Sequence, residues 1–376
     1  VSRLPLSGIT VIDFSRVLAG PLCTQILGDA GARVIKIEEP GRGDETRRWG
    51  PPFVQGESGY FLAVNRNKES MTVNLKSKEG RAIAAKLVRS ADVVVDNFLL
   101  SQRRLLPAIP RRAIHCSITG YDDDPAPGYD LLAQAESGLM SITGEIDGDP
   151  MKVGVALADV LTAHYAAGAI SAALFARERS GRGERIEISL FGAAVASLVN
   201  VAQNALLTRR DAVRHGNAHP SIVPYQLFHA SDRPFVIGAG TDRHFTALCA
   251  IAGREDLREY ATNAERVRNR ELLIPLLESI FRKRPARHWV DRCRKAGVPA
   301  ALVKGVREAL RSAAVVGVDH PIVGRYQAVA SPIRLAGRRP PVRLPPPALG
   351  QHSAAILKEL GYSTAEVRDL RRKGII

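Results

Sequence analysis

Residues 9–14 read ITVIDF, residues 20–31 GPLCTQILGDAG and residues 33–38 RVIKIE. The first is a short apolar run after Ser7-Gly8. In the second, Leu22, Ile26 and Leu27 have helical spacing, Pro21 suits a first helical turn and Gly31 a stop. The third is a second apolar run. Strand, helix and strand within some 30 residues open a parallel α/β sheet. More strands are expected at 92–97 (DVVVDN) and 113–118 (AIHCSI), preceded by a helix near 78–90. Open α/β sheets hold ligands beyond the carboxyl ends of their strands. Those ends are Phe14–Gly20, Glu38–Asp44, Asn97 and Thr119–Tyr121.

Further along, the pattern predicts a helix near 158–179, a strand at 185–190 and a helix near 193–206. The polar stretch 208–220 reads as a linker. A new unit then carries a strand pair near 225–229 and 235–238 and helices near 242–252, 266–282 and 286–296. Prolines at 332, 340, 341, 345, 346 and 347 mark a return linker. The segment 353–370 is an amphipathic helix broken at Gly361.

The 376 residues are 45% hydrophobic, enough for a sizeable core and against wholesale disorder. Lys and Arg total 53, of which 42 are Arg, against 38 Asp and Glu. The resulting net charge of +15 attracts polyanions. Aromatic residues at 5% give little material for stacking on bases. Cysteines 23, 116, 249 and 293 form neither a zinc spacing nor a disulfide framework, which fits a reducing, cytoplasmic setting and no metal. The N-terminus shows no apolar signal core. The apolar stretch 153–176 contains Asp159 and His164 and reads as a core helix rather than a membrane span. Neither SRVLAGP after the first strand nor GAGTDR at 238–243 completes a dinucleotide-binding glycine pattern.

Asp159 is the most informative position. It lies near the start of an otherwise apolar helix, where free amides and the helix dipole favour a carboxylate. It serves there as a cap, a general base or a nucleophile. With an ordinary pKa near 3.9 it is expected to be ionised at pH 7 and able to attack a thioester without an activating histidine.

Residues 6–47, LSGITVIDFSRVLAGPLCTQILGDAGARVIKIEEPGRGDETR, resemble the opening of the family III CoA-transferases. NRNKESMTVNLKSKEG, ADVVVDNF, PGYDLLAQAESGL, SGRGERIEISL, HPSIVPYQLF and LGQHSAAILKELG resemble later motifs of that family, in the same order. The resemblance implies a Rossmann-like large domain (1–207), a linker (208–224), a smaller α+β domain (225–325), a proline-rich return (326–350) and C-terminal helices (351–376) completing the large domain. It implies an interlocked homodimer, no permanent cofactor and acyl-CoA as substrate. Asp159, 30 residues after Tyr129, falls on the family's nucleophilic aspartate. CoA would lie along Val17, Leu18 and Ala19 and meet Val73, Asn97 and Tyr129. After ADVVVDNF the family's Pro-Gly turn and arginine are replaced by LLSQRRLL, so Arg103 or Arg104 stands in, with Arg104 taken as the contact. The family's glycine-rich active-site loop has no counterpart here, and Glu39 stands where some members carry a basic residue.

The related α-methylacyl-CoA racemases use a histidine where this chain has Tyr129. A phenol is a poor α-proton carrier near neutral pH, which favours the transferase. A basic nucleic-acid-binding protein is the more distant alternative; charge favours it, but no binding motif does. His164 reads as a satisfied core histidine, and Asp122–Asp124 as a solvated loop. Arg42, Arg66 and Lys68 either meet CoA phosphates or face water.

Overall fold

A computed structural model describes residues 4–376 of the chain. The chain divides into two units, one of Val1–Leu139, Val153–Arg209 and Ala314–Ile376, the other of Met140–Lys152 and Arg210–Ala313. The small unit thus takes in 140–152, a segment assigned to the large domain from sequence. Residues 314–325, read as small domain, fall in the large unit.

The large unit is built on a six-stranded parallel sheet. Its N-terminal half runs β1 (Thr10–Asp13), α1 (Ala19–Asp29), β2 (Arg33–Glu38), a short hairpin of β3 (Phe53–Val54) and β4 (Glu57–Ser58), α2 (Gly59–Val64) and β5 (Lys68–Thr72). Then follow α3 (Lys78–Arg89), β6 (Val93–Asp96), β7 (Ile114–Thr119), α4 (Asp130–Glu136), α5 (Leu157–Ser180) and β8 (Arg185–Ser189). The strand order is β5-β2-β1-β6-β7-β8, so the chain winds outward from β1, returns beside it at β6 and winds outward the other way. That reversal leaves a crevice beyond the carboxyl ends of β1 and β6, where doubly wound sheets place ligands.

Alternation along each strand feeds two cores, because successive side chains point to opposite faces. Val11, Val34, Val93 and Val95 pack against α1 and α5 through Cys23, Leu27, Ala163, Ala166 and Ile170. Ile12, Ile35, Ile37 and Val94 pack against α3 through Ile83 and Leu87. The same second core takes Ile356, Leu357, Val367 and Leu370 from α13 (Ser353–Glu359) and α14 (Thr364–Arg372). A parallel sheet needs cover on both faces, and the chain's last helices supply part of one.

The sequence missed β5. Its buried residues include Lys68, Ser70 and Thr72, so it lacks the apolar signature of an inner strand. The single helix expected over 193–206 is two, α6 (Leu190–Ala196) and α7 (Asn200–Thr208), meeting at 79°. Val199 takes φ 45° at that corner. α5 is long and apolar enough to cross a membrane, but Ala158, Ala163, Ala166, Ala167 and Ile170 lie in the core. His164, expected inside, is exposed, its Nδ1 2.7 Å from the Val160 carbonyl.

The small unit pairs β9 (Tyr225–His229), β10 (Pro234–Gly238) and β11 (Ala300–Leu302) in an antiparallel sheet. Helices α8 (Asp242–Ala252), α9 (Asn263–Arg268), α10 (Arg270–Phe281), α11 (Ala286–Lys295) and α12 (Val306–Leu310) complete it. Phe228, Phe235, Phe281 and Trp289 form its aromatic centre. The large unit also holds a hairpin of β12 (Val315–His320) and β13 (Gly324–Val329), which the sequence did not reveal.

Candidate active site

The crevice at the strand reversal is a cleft lined by Arg16, Val17, Ala19, Glu45, Trp49, Asn97, Arg103, Gly128, Tyr129 and Asp159, among others. It lies wholly within the large unit. Its floor is the loop from β1 to α1. Gly20 is required there, since a Cβ would stand 2.2 Å from the Ser15 side chain. Asn97, just after β6, clamps the same loop: its side chain accepts the Arg16 amide at 3.0 Å and donates to the Arg16 carbonyl at 2.8 Å. α1 begins with no side-chain cap, leaving its first amides to groups in the cleft.

Asp159 sits in the first turn of α5 and takes the backbone amide of Ala19. Burial, and then the charge of Asp130, push its carboxyl up to about 7, against that amide, which lowers it. The expectation of an Asp159 with an ordinary pKa is therefore corrected: burial and Asp130 bring its titration up into the neutral range. Sequence distance hid the cause, because Asp130 lies 29 positions earlier. Asp130 Oδ1 accepts the amide of Ala158 at 2.8 Å, and Oδ2 accepts Gln134 Nε2 at 2.7 Å. Buried Gln134 also takes the Val153 amide at 2.8 Å. The start of α5 is thus capped from α4 and not by its own residues.

Of the positions taken from the resemblance, Val17, Ala19, Asn97, Tyr129 and Asp159 line this cleft. Leu18 does not; it is the residue before α1. Val73 lines a second cleft with Glu38, Glu39, Asn74, Lys76 and Gln102, which shares Arg16 and Phe98 with the first. Arg103 lines the first cleft, and Arg104, the contact chosen from sequence, is exposed outside both. Arg66 and Lys68 meet neither alternative given for them. Arg66 is buried in a two-point pair with Asp29 at 2.6 and 2.9 Å, and Lys68 is wholly buried against Asp13. Arg42 is exposed.

The sequence also missed Trp49 and Tyr60, whose rings meet edge to face at 5.3 Å. Burial, with Asp159, Asp130 and Asp44 adding, raises the Tyr60 phenol to about 12. No motif announced either ring. Arg16 pairs with Glu45 at 2.8 Å. Buried Arg16 Nε, Glu45 Oε2, Gln102 Oε1 and Arg103 Nε, all on residues lining the two clefts, lack hydrogen-bond partners. Buried polar atoms in folded proteins are normally satisfied, so these suit a polar ligand. Among the described residues no cluster of His, Cys, Asp and Glu could hold a metal ion.

Comparison with known proteins shows the family. Residues 6–353 match the profile of CoA-transferase family III. The chain is 41% identical to mouse succinyl-CoA:glutarate CoA-transferase over 100% of its own length and 91% of that protein. It is 38% identical to acetyl-CoA:oxalate CoA-transferase of Acetobacter aceti, covering 96% and 97% of the two chains. A crystal structure of a CAIB/BAIF family protein from Brucella suis superposes with a TM-score of 0.84 at 37% identity, over 96% of this chain and 100% of that one. The chain belongs to the family III CoA-transferases, enzymes that act on CoA thioesters. These relatives lend no support to the racemase alternative.

Proposed function

We propose that the protein moves CoA from an acyl-CoA donor to a carboxylic acid through covalent intermediates on Asp159. The observation that carries this reading is Asp159 itself: a desolvated carboxylate in the cleft, facing the uncapped start of α1. The Asp159 carboxylate attacks the donor thioester carbonyl, forming an acyl-aspartyl anhydride and expelling CoA thiolate. The thiolate returns to the aspartyl carbonyl, giving an aspartyl-CoA thioester and the free donor acid. The acceptor carboxylate displaces the thiolate to form a second anhydride. Thiolate attack on the acceptor's acyl carbon then yields the new acyl-CoA and restores Asp159. Thioester energy is retained throughout, so no nucleotide is consumed. A carboxylate with its pKa near 7 is more basic than an ordinary aspartate and attacks better for its charge.

The second cleft, with Val73 and Lys76, suits the nucleotide end of CoA, and the first suits the thioester end. The Arg16 and Arg103 side chains line the first cleft and suit an anionic group, and the mouse and Acetobacter relatives take glutarate and oxalate, both dicarboxylates. We therefore place a dicarboxylic acid first among acceptors. Incubation with succinyl-CoA, hydroxylamine trapping and peptide mapping test the mechanism. The label is expected on Asp159 and lost with transfer activity in Asp159→Ala; a label elsewhere overturns the reading.

The interlocked homodimer is proposed on the same footing, supported by exposed Phe175, Leu206 and Leu207 at 63%, 75% and 73%. A 40.7 kDa species by light scattering at micromolar concentration would refute it.

A further inference from the structure

Beneath the cleft floor lies a set of ionised side chains that touches no reacting group. Asp13, Lys36, Asp44 and Lys68 are each at most 1% exposed. Lys36 Nζ donates to Asp44 Oδ2 and to the Ser15 carbonyl, both at 2.8 Å. Lys68 Nζ reaches Asp13 Oδ2 at 3.2 Å and the Pro21 carbonyl at 2.8 Å. Asp13 Oδ1 accepts the Ser15 amide at 2.9 Å. Asp44 accepts the Val17 amide on both oxygens at 3.3 Å, and the Thr46 amide at 3.0 Å. Every member of the set holds a backbone group between Ser15 and Pro21, the segment that brings the Ala19 amide to Asp159.

Val17 stands at φ 71°, a conformation a β-branched residue avoids unless it is held. Among the described residues its amide finds its acceptor in Asp44. Buried ion pairs are weak sources of stability, because desolvation offsets their attraction. Burial alone would push Asp44 up, yet Lys36 and the Thr46 donors hold it at about 2, so it stays ionised across the working range.

We propose that Asp44, balanced by Lys36, is a positioning residue for the transfer reaction: it holds the Val17 amide and so keeps the Ser15–Ala19 loop in the conformation that offers the Ala19 N–H to Asp159. This rests on the reading of Asp159 as nucleophile. Asp130 from α4 and Tyr60 from α2 also act on Asp159, and neither brings positive charge, while Arg16, Glu45, Arg103 and Asp124 line the same cleft. Loss of the Ala19 amide therefore leaves the ionised carboxylate with less support and raises its pKa.

The test titrates Asp159 directly in the full chain, by carboxyl 13C NMR of aspartate-labelled protein, with the resonance assigned by its loss in Asp159→Ala. In Asp44→Ala, which leaves the Val17 amide no acceptor in place of the carboxylate, the midpoint is expected to rise by about half a pH unit or more. The double variant Lys36→Met/Asp44→Ala leaves no unpaired buried charge, so it folds where a single variant fails, and it should show the same rise. Glycine occupies positive φ without strain, so in a Val17→Gly background the effect of Asp44→Ala should largely vanish. With succinyl-CoA and glutarate as probes, Asp44→Ala should lower kcat about tenfold and leave KM within about threefold, as expected of an effect on the transition state. An unmoved midpoint in folded Asp44→Ala or in the double variant overturns the inference, as does an equal shift with and without Val17→Gly. Failure of the underlying reading looks different: the trapped acyl label then lies away from Asp159, whatever the titration shows.

Discussion

Asp130 caps a helix it does not belong to: its Oδ1 accepts the Ala158 amide at 2.8 Å, one residue before Asp159. The same carboxylate that secures the start of α5 therefore lies close enough to hold the Asp159 proton on. Burial is the larger cause of the raised pKa, and Asp130 adds to it while also fixing the helix start.

Replacing Asp130 with Asn removes the charge but keeps an acceptor for the Ala158 amide. The Asp159 carboxyl should then move down from about 7, and the acid limb of the kcat/KM profile should move down by about one pH unit. The new amide faces the Gln134 donor, at a cost of about 1 kcal/mol of stability. An acid limb that stays in place would show that Asp130 does not act on Asp159.

Asp159→Asn should stabilise the protein at alkaline pH. The folded pKa, about 7, lies above the ordinary 3.8, so the native state binds this proton more tightly than the unfolded chain does. The contribution to stability is full below pH 4 and is lost as pH rises through 7. At pH 8 the variant should gain about 1–3 kcal/mol in denaturant melts, allowing for partial exposure of the group, with a smaller gain at pH 5. Equal gains at both pH values would contradict a raised pKa for Asp159 in the folded protein.

Arg66 is a structural residue. Besides the two bonds to Asp29 it donates to the Val329 carbonyl at 2.9 Å. Arg66→Ala strands a buried carboxylate and should cost about 3–5 kcal/mol. KM for acyl-CoA in the folded fraction should hold steady; a large KM rise without a stability loss would reveal a phosphate contact instead.

Glu39 lines the second cleft and pairs with Lys76 at 3.5 Å, both groups half exposed or more. If the phosphates of CoA lie there, Glu39→Gln frees the lysine and removes a repulsive charge. KM for acyl-CoA should fall about two- to fivefold at low salt with kcat unchanged. The gain should shrink in about 0.5 M salt, because exposed charges are screened. A KM that does not respond would move the nucleotide end elsewhere.

The legible parts of this chain were those with a local signal. The apolar runs in ITVIDF, RVIKIE and DVVVDN marked three inner strands, and the motif around Asp159 marked a helix start. β5 was illegible because its inward positions carry Lys68 and Ser70, whose partners are supplied by distant residues. Arg103 and Arg104 were indistinguishable as neighbours in sequence; only the path of the chain turns one toward the cleft and leaves the other exposed. Trp49 and Tyr60 had no pattern to announce them.

The sequence by itself determined the class of fold and the family, since periodicity and ordered motifs are written residue by residue along the chain. It also singled out Asp159, as a carboxylate in an apolar helix start. Tertiary structure alone decided the state of that carboxylate. Electrostatic energy depends on distance through space and on burial, and Asp130, Ala19 and the ion pair beneath Val17 come together only when β1, β2 and α4 converge at one end of the sheet.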